Sequence, residues 1–384
     1  MRSLCVFASD VAALVGASRY TSPAEIKLKL WEKCDPTQLA RSKALLSAAA
    51  GRVVTTSEER ATAAVARLEE ARVSEAIAGI SLPPRPAPTA ARAAVKRALA
   101  LDPLLEAMPV PQKQARVDVA IQHATIATSA AVEGAVRALP ISLQAEATSI
   151  LRQNAPAEAA ALLSAHVSAS TAQSVVAAVA VASRAAVAVA VATALPTVDE
   201  SIESAVAGRA PEAGAALHRL AGNQPDVQEL VRRRISTGLG TRLESTGLDK
   251  LQRDSGVAVT ARNAQGFSLR LLAADGRAFT LYGKIDGLQA DVVVEHKQRR
   301  NQLFGRLVRR ERIQLLVYLA LTKRTKGVLV ETFGASQTRH HLEFDAVEWS
   351  SLRQRLGDAV AELHAVMRGA DEAPRAALLR LVLE

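Results

Sequence analysis

Two short stretches bring acids and an amine to a spacing that suits phosphate chemistry. Gly283-Lys284-Ile285-Asp286-Gly287 is followed, after eight intervening residues from the aspartate, by Glu295-His296-Lys297 at the end of a Val292-Val293-Val294 run. Side chains alternate along a strand, so Glu295 and Lys297 should share one face and His296 take the other. A tight hairpin would set Asp286 and Glu295 beside the Lys297 ammonium. Two carboxylates held together at strand ends are costly unless a divalent cation neutralises them, and hard oxygen donors suit Mg²⁺ or Mn²⁺. Such an ion polarises a phosphodiester and activates water, while a lysine orients the water or stabilises developing charge. Taken alone, the pattern also fits a salt-bridged hairpin with no catalytic task.

Two further residue sets bear on that choice. Glu244, in Gly238-Leu239-Gly240-Thr241-Arg242-Leu243-Glu244, shares a helical face with Leu248 and Leu251. A carboxylate on an apolar stripe points to the core and needs a partner, which is either a metal cluster at Asp286 and Glu295 or one of the many arginines. Gln314 and Tyr318 lie one helical turn apart and would line one groove, the amide reaching a phosphate and the ring packing beneath it.

The elements that must position these residues can be read from the pattern. Ser9-Asp10 is a plausible cap for a helix over Val11 to Val15, with Gly16 as its stop, and Ser22-Pro23 opens a second helix from Ala24 to about Lys33. From Asp35 to about Asp226 the chain is rich in Ala and Val and is cut by prolines, notably at Pro83-Pro84-Arg85-Pro86-Ala87-Pro88 and at Pro211. Its Ser174 to Leu195 run is the one membrane candidate, but Arg184 at its centre favours a buried Ala-rich helix. After Val231 a helix is expected over Thr241 to Arg253. Strands follow over Phe267 to Leu272 and Ala278 to Ile285, joined by an Asp275-Gly276 turn. A third strand covers Ala290 to Lys297, an amphipathic helix Arg310 to Thr322, and further strands Gly327 to Thr332 and His340 to Phe344. A last helix spans about Ala346 to Met367. The result is an α/β core around a small mixed sheet flanked by helices. The divisions are residues 1–35 and 231–384 for that core and 36–230 for a helical or partly disordered insertion.

Bulk properties agree with a polyanion partner. The net charge is +10, and from Val231 to His340 there are 21 Lys and Arg against 9 Asp and Glu, so the rest of the chain is close to neutral. No aromatic residue lies between Trp31 and Phe267, which implies an aromatic-bearing core built from the two ends of the chain. Two cysteines, Cys5 and Cys34, exclude a disulfide framework and a CxxC metal site, so a reducing intracellular location is expected, and no signal peptide is apparent. Arg299, Arg300, Arg306, Arg309, Arg310 and Arg312 follow the acidic strand and read as contacts to a phosphate backbone. His340 and His341, adjacent on a strand, face opposite ways and are not expected to share a metal.

In this order, Gly-Thr-x-x-Glu, Asp-Gly, Glu-x-Lys and Gln-x-x-x-Tyr resemble lambda-type exonucleases and YqaJ-like viral recombinases of the PD-(D/E)XK superfamily, which occur in phages and large DNA viruses. Ala8 to Gly16, Tyr20 and Leu30-Trp31-Glu32-Lys33 are similar to that family's opening helices. The resemblance implies a restriction-endonuclease-like core carrying a large Ala-rich insertion. It also implies a Mg²⁺-dependent (or Mn²⁺-dependent) deoxyribonuclease, a 5′→3′ exonuclease on duplex ends serving recombination or repair. Glu244, Asp286 and Glu295 would hold the metal, Lys297 would be the catalytic lysine, and Gln314, supported by Tyr318, would meet the phosphate. Ser9 and Arg2 occupy the positions that recognise a 5′-phosphate in the family. A single-strand annealing partner and a homo-oligomer also follow from the resemblance, and a viral member would act in the host cytoplasm, nucleus or virus factory. Ile285 stands where the family places proline. The alternatives on the same fold are a structure-selective or nonspecific endonuclease and a catalytically inactive DNA-binding scaffold.

Overall fold

The structure is a computed structural model that describes residues 4–51, 53, 55–78, 88–208, 212–369 and 371–383. Arg2, the Pro83–Ala87 break and Pro211 lie outside the described residues. The chain forms two compact units, residues 1–59 with 239–384, and residues 60–238.

The elements run β1 (Cys5–Phe7), α1 (Ala8–Leu14), α2 (Pro23–Cys34), α3 (Pro36–Ala50), α4 (Ser57–Ala78), α5 (Pro88–Leu99), α6 (Pro103–Glu106), α7 (Val110–Val136) and α8 (Ile141–Gln153). They continue α9 (Pro156–Leu163), α10 (Ala169–Ala194), α11 (Val198–Val206), α12 (Ala213–Ala221) and α13 (Pro225–Ser255). The last part of the chain is β2 (Val259–Thr260), β3 (Gly266–Leu272), β4 (Ala278–Lys284), β5 (Gly287–Gln289), β6 (Val292–Gln298), α14 (Arg309–Thr322), β7 (Lys326–Phe333), β8 (Ser336–Glu343), α15 (Ala346–Arg368) and α16 (Ala373–Leu383).

The helical unit holds α5 to α12, most of α4 and the start of α13. Along α10, Ala172, Val175, Val179, Ser183, Val187, Ala190 and Ala194 recur every three or four residues and pack on α7, α5 and α9. The opposite face stays open, with Val181 71% and Val189 67% exposed. The helix expected to be buried is therefore buried on one side only, because its packing partners all meet one stripe. By length and composition the Ala169–Val206 stretch would be sufficient to cross a membrane.

The other unit has a mixed α/β fold with two sheets among the described residues, not one. Strand β1 pairs parallel to β4, which pairs with β3 across the Asp275-Gly276 turn. The second sheet has the order β2-β5-β6-β7-β8, with only β6–β7 parallel. Strand β1 was not legible because three residues leading straight into a helix show no alternation. Helix α3 belongs to this unit, packed on α2 and α16, which moves the edge of the insertion from residue 36 to about residue 60. Ser22 and Glu25 form the expected capping box at the start of α2, with Pro23 at its first position.

Helix α14 was expected to be amphipathic. Beyond its first turn it is buried nearly all round, with Ile313, Leu315, Leu316, Val317, Leu319 and Leu321 enclosed. It packs against both sheets and against α1 and α15, which leaves only a narrow, partly exposed strip that includes Gln314. Each such side chain contributes about 1.5–3 kcal/mol, enough to hold a central helix in place. The opposite face of the five-stranded sheet is covered by α13, where Leu248 and Leu251 meet Val294, Val328 and Val330. Helix α13 is one continuous 31-residue element ended by Gly256 at φ +70°, longer than the Thr241–Arg253 segment expected. Gly247 is required in it: a Cβ there would lie 2.0 Å from the His296 ring nitrogen Nε2.

Candidate active site

Asp286 stands where the chain passes from one sheet to the other, between the end of β4 and the start of β5. The hairpin that presents the acids is thus β5–β6, while the Asp275-Gly276 turn closes the separate β3–β4 pair. Asp286 Oδ2 accepts a 2.7 Å hydrogen bond from the backbone N–H of His296, which fixes the carboxylate against β6. Along β6 the alternation places Val293 in the core beneath α14 and Val294 against α13. Glu295 and Lys297 follow Val293, and His296 follows Val294 towards Gly247.

Glu295 is 1% exposed. Its Oε1 accepts from Lys297 Nζ, while its Oε2 is buried with no N–H or hydroxyl donor and the Asp286 carboxyl is near enough to share a proton with it. Glu244, on α13, is half-buried and accepts from Asn263 Nδ2. Asn263 holds φ +46°, a left-handed conformation that asparagine tolerates. Sequence reasoning missed it; the signal was a polar Arg262-Asn263-Ala264-Gln265-Gly266 turn directly before a strand.

The electrostatics tie these groups together. Burial pushes Glu295 up to about 8, with Lys297 opposing and Asp286 adding to the rise. Burial and then Glu244 push Asp286 up to about 6. Glu244 is raised by burial, against the Asn263 hydrogen bond, and further by the Glu295 charge, while Lys297 and Lys284 oppose. Burial disfavours the Lys297 ammonium, but Glu295 and Asp286 outweigh it and hold its pKa above the usual value. Glu244, Asp286, Glu295 and Lys297, spread over some fifty positions of sequence, are thus electrostatic neighbours. Lys284, at the end of β4, lies near enough for its charge to favour ionised Glu244, a contact that sequence reasoning missed. Across the strand His296 is driven down to about 4 by burial, Lys297 and Arg299, so it is neutral; its Nε2 meets Thr332 Oγ1 at 3.0 Å.

Gln314 donates through Nε2 to Tyr318 Oη at 3.0 Å. Tyr318 is raised by burial and by Glu295, so its phenol stays neutral. It packs over Gly283, where a Cβ would lie 2.8 Å from Tyr318 Cε1.

Not every expected residue is placed at an open surface. Arg299, read as a backbone contact, is buried: Nη1 and Nη2 bind Glu311 at 2.8 Å each, Nε binds Glu331 at 2.7 Å, and its guanidinium lies 4.0 Å from the Phe304 ring centroid. Glu331 is fully buried and also accepts from the Phe304 and Gly305 amides and from His340. Arg299 therefore pins the loop between β6 and α14 and is not available to DNA. Arg312 is engaged by Glu348 at 2.7–3.1 Å. Arg300, Arg306 and Arg309 are exposed. Ser9 is exposed within the first turn of α1; Phe7 takes the cap position, because β1 runs directly into the helix. Asp10 is buried and bound to Lys29 at 3.0 Å.

Among the described residues, no three His, Cys, Asp or Glu side chains stand close enough as placed to ligate one ion. Two of the carboxylates are instead engaged by the nearest donors, Glu295 by Lys297 and Glu244 by Asn263. The donor set of Glu244, Asp286 and Glu295 is all oxygen, the kind that suits a hard divalent cation. A groove of about 590 Å³ in the helical unit, lined by residues such as Pro156, Ala160, Ser164 and Gln173, carries no ionisable side chain.

The arrangement is a largely buried carboxylate–lysine cluster on the middle strand of the five-stranded sheet, beside the junction between the two sheets. No protein-family model matches the chain, and no curated protein matches it in sequence. Among solved structures it has weak similarity to an alkaline exonuclease from Laribacter hongkongensis, at 17% identity over 40% of this chain and 88% of that one, with a TM-score of 0.29. The same enzyme in complex with dAMP matches at 19% identity over 44% and 87%, with a TM-score of 0.28. SSO0001 matches at 17% identity over 46% and 76%, with a TM-score of 0.27.

Proposed function

We propose that this chain is a divalent-metal-dependent DNA nuclease with a PD-(D/E)XK core, acting as a 5′→3′ exonuclease on duplex ends in recombination or repair. What supports the reading is the electrostatic coupling of Glu244, Asp286 and Glu295 with one another and with Lys297, centred on the buried carboxyl pair of Glu295 and Asp286. Asp286 and Glu295, with Glu244, would hold Mg²⁺ or Mn²⁺. When bound, that ion supplies Lewis acidity towards the phosphodiester and activates water.

The chain's own residues have separate tasks in this reading. Lys297, kept protonated by Glu295 and Asp286, donates to a phosphate oxygen or to the attacking water. Asn263 and the His296 amide hold Glu244 and Asp286 in place. Tyr318 fixes the Gln314 carboxamide so that its remaining groups meet the phosphate. The exposed Arg300, Arg306 and Arg309 supply positive charge for the strand backbone.

The test compares wild type with Asp286→Ala and Lys297→Ala on end-labelled linear duplex, with and without Mg²⁺. Each substitution is expected to lower the rate by about 100-fold or more, and chelator to abolish it. Equal rates in all three proteins would remove the assignment. Cleavage of closed circles as fast as linear duplex would replace the exonuclease with an endonuclease.

A further inference from the structure

Tyr20 is a large aromatic side chain left 59% exposed. Its turn is nevertheless locked, since the Tyr20 and Thr21 amides donate to Ser18 Oγ at 3.2 and 3.3 Å, just before the capping box of α2. Arg19 Nη2 donates to Tyr20 Oη at 2.8 Å, and the Arg19 guanidinium lies 5.0 Å from the ring centroid. A second guanidinium, Arg310 from the first turn of α14, lies 4.7 Å from the same centroid. The ring is thus oriented from a position 290 residues away in sequence, not only by its own neighbour.

Arg310 has donors to spare. Its nearest carboxylate, Glu311 at 3.6 Å, is already held by both Nη atoms of Arg299. Two guanidiniums beside one ring repel each other, and an anion between or beside them would relieve that cost. Arg310, Gln314 and Tyr318 follow at four-residue steps, so they share one face of α14. At 1.5 Å per residue Tyr318 stands about 12 Å along the helix from Arg310, and its phenol senses Glu295, Asp286 and Glu244. That span corresponds to three or four steps of a DNA strand at about 3.4 Å each.

We propose that the exposed surface of the Tyr20 ring, with Arg19 and Arg310 beside it, is a stacking platform for a nucleobase of the substrate strand, with the two arginines on the flanking phosphates. This rests on the nuclease reading and adds a specific substrate contact to it. Base–aromatic stacking is tolerant of sequence because every base has a π-face, and arginine suits phosphate through its planar fork.

The experiment uses the full chain carrying Lys297→Ala, in Mg²⁺, and a 5′-phosphorylated duplex with 2-aminopurine at its terminal positions. Binding quenches the fluorophore if it stacks on the ring. Tyr20→Phe is expected to keep the quenching. Tyr20→Leu should lose it and bind about 10-fold to 100-fold more weakly, the worth of one stacked base. With Lys297 intact, Tyr20→Leu should raise KM and leave kcat at saturating DNA nearly unchanged. Identical quenching and affinity in the Phe and Leu variants would overturn the platform. If quenching follows Tyr20 but Lys297→Ala and Asp286→Ala degrade DNA as fast as wild type, the platform stands as a DNA-binding surface and the nuclease reading fails. Absence of DNA binding in every variant overturns both.

Discussion

Replacing Asp286 by asparagine should make the metal-free protein more stable while abolishing its activity. The carboxyl is raised from 3.8 to about 6 by burial and by Glu244. Because the folded-state pKa lies above the unfolded one, the folded chain holds this proton more tightly. The associated stability is fully present below pH 3.8 and is lost as the pH rises through about 6. At about 1.4 kcal/mol per pKa unit, the charge costs the fold about 3 kcal/mol at pH 8. Asp286→Asn removes that charge, and its amide oxygen can still accept from the His296 N–H. For a unit of this size, about 3 kcal/mol corresponds to a Tm about 6–12 °C higher. Both tryptophans, Trp31 and Trp349, lie in the unit that carries the cluster, so tryptophan fluorescence follows its unfolding alone. In chelator the variant should melt above wild type at pH 8 and level with it below pH 4. With Mg²⁺ the order should reverse, because only wild type gains from the ion. Equal melting at pH 8 in chelator would refute the reasoning, since Asp286 would then carry no penalty in the fold.

Arg299→Ala should cost about 3–5 kcal/mol in urea unfolding, because Glu311 and Glu331 remain buried without their cation. Arg299→Lys should recover only part of that, lacking the two-pronged contact; a loss under 1 kcal/mol for the alanine variant would contradict the network. Gly247→Ala should destabilise by about 1–3 kcal/mol through its clash with the His296 ring, and a second substitution, His296→Ala, should relieve most of it in a double-mutant cycle. His296 has its pKa depressed from 6.5 to about 4, so its contribution is present above pH 6.5 and lost as the pH falls through about 4. That loss is about 3 kcal/mol, and acid unfolding of His296→Gln should begin at lower pH than that of wild type.

What could be read from the sequence was what periodicity and local chemistry encode. The Glu295-x-Lys297 alternation, the Ser22-Pro23 cap and the helix after Asp345 all depend on neighbours within a few residues. What could not be read depends on distant partners. A hairpin does set Asp286 across from Glu295, but it is β5–β6; the strand before Asp286, β4, pairs instead with β1 and β3, and the chain changes sheet at Asp286 itself. Arg299 looked like its exposed neighbours, and only Glu311 and Glu331, 12 and 32 residues away, draw it inside. Asn263 is an ordinary turn residue until α13 brings Glu244 over it. Helix α14 looked amphipathic because Arg310 and Arg312 flank its apolar run, although both sheets enclose it.

The central claim is that three acids from α13, the β4–β5 junction and β6 share one divalent cation. Mn²⁺ titration followed by electron paramagnetic resonance of the free ion measures this without any substrate. Wild type should take up one or two ions per chain, and Glu244→Ala, Asp286→Ala and Glu295→Ala should each weaken uptake by about 10-fold or more. Uptake that is the same in all four proteins, or absent from wild type, would contradict the account.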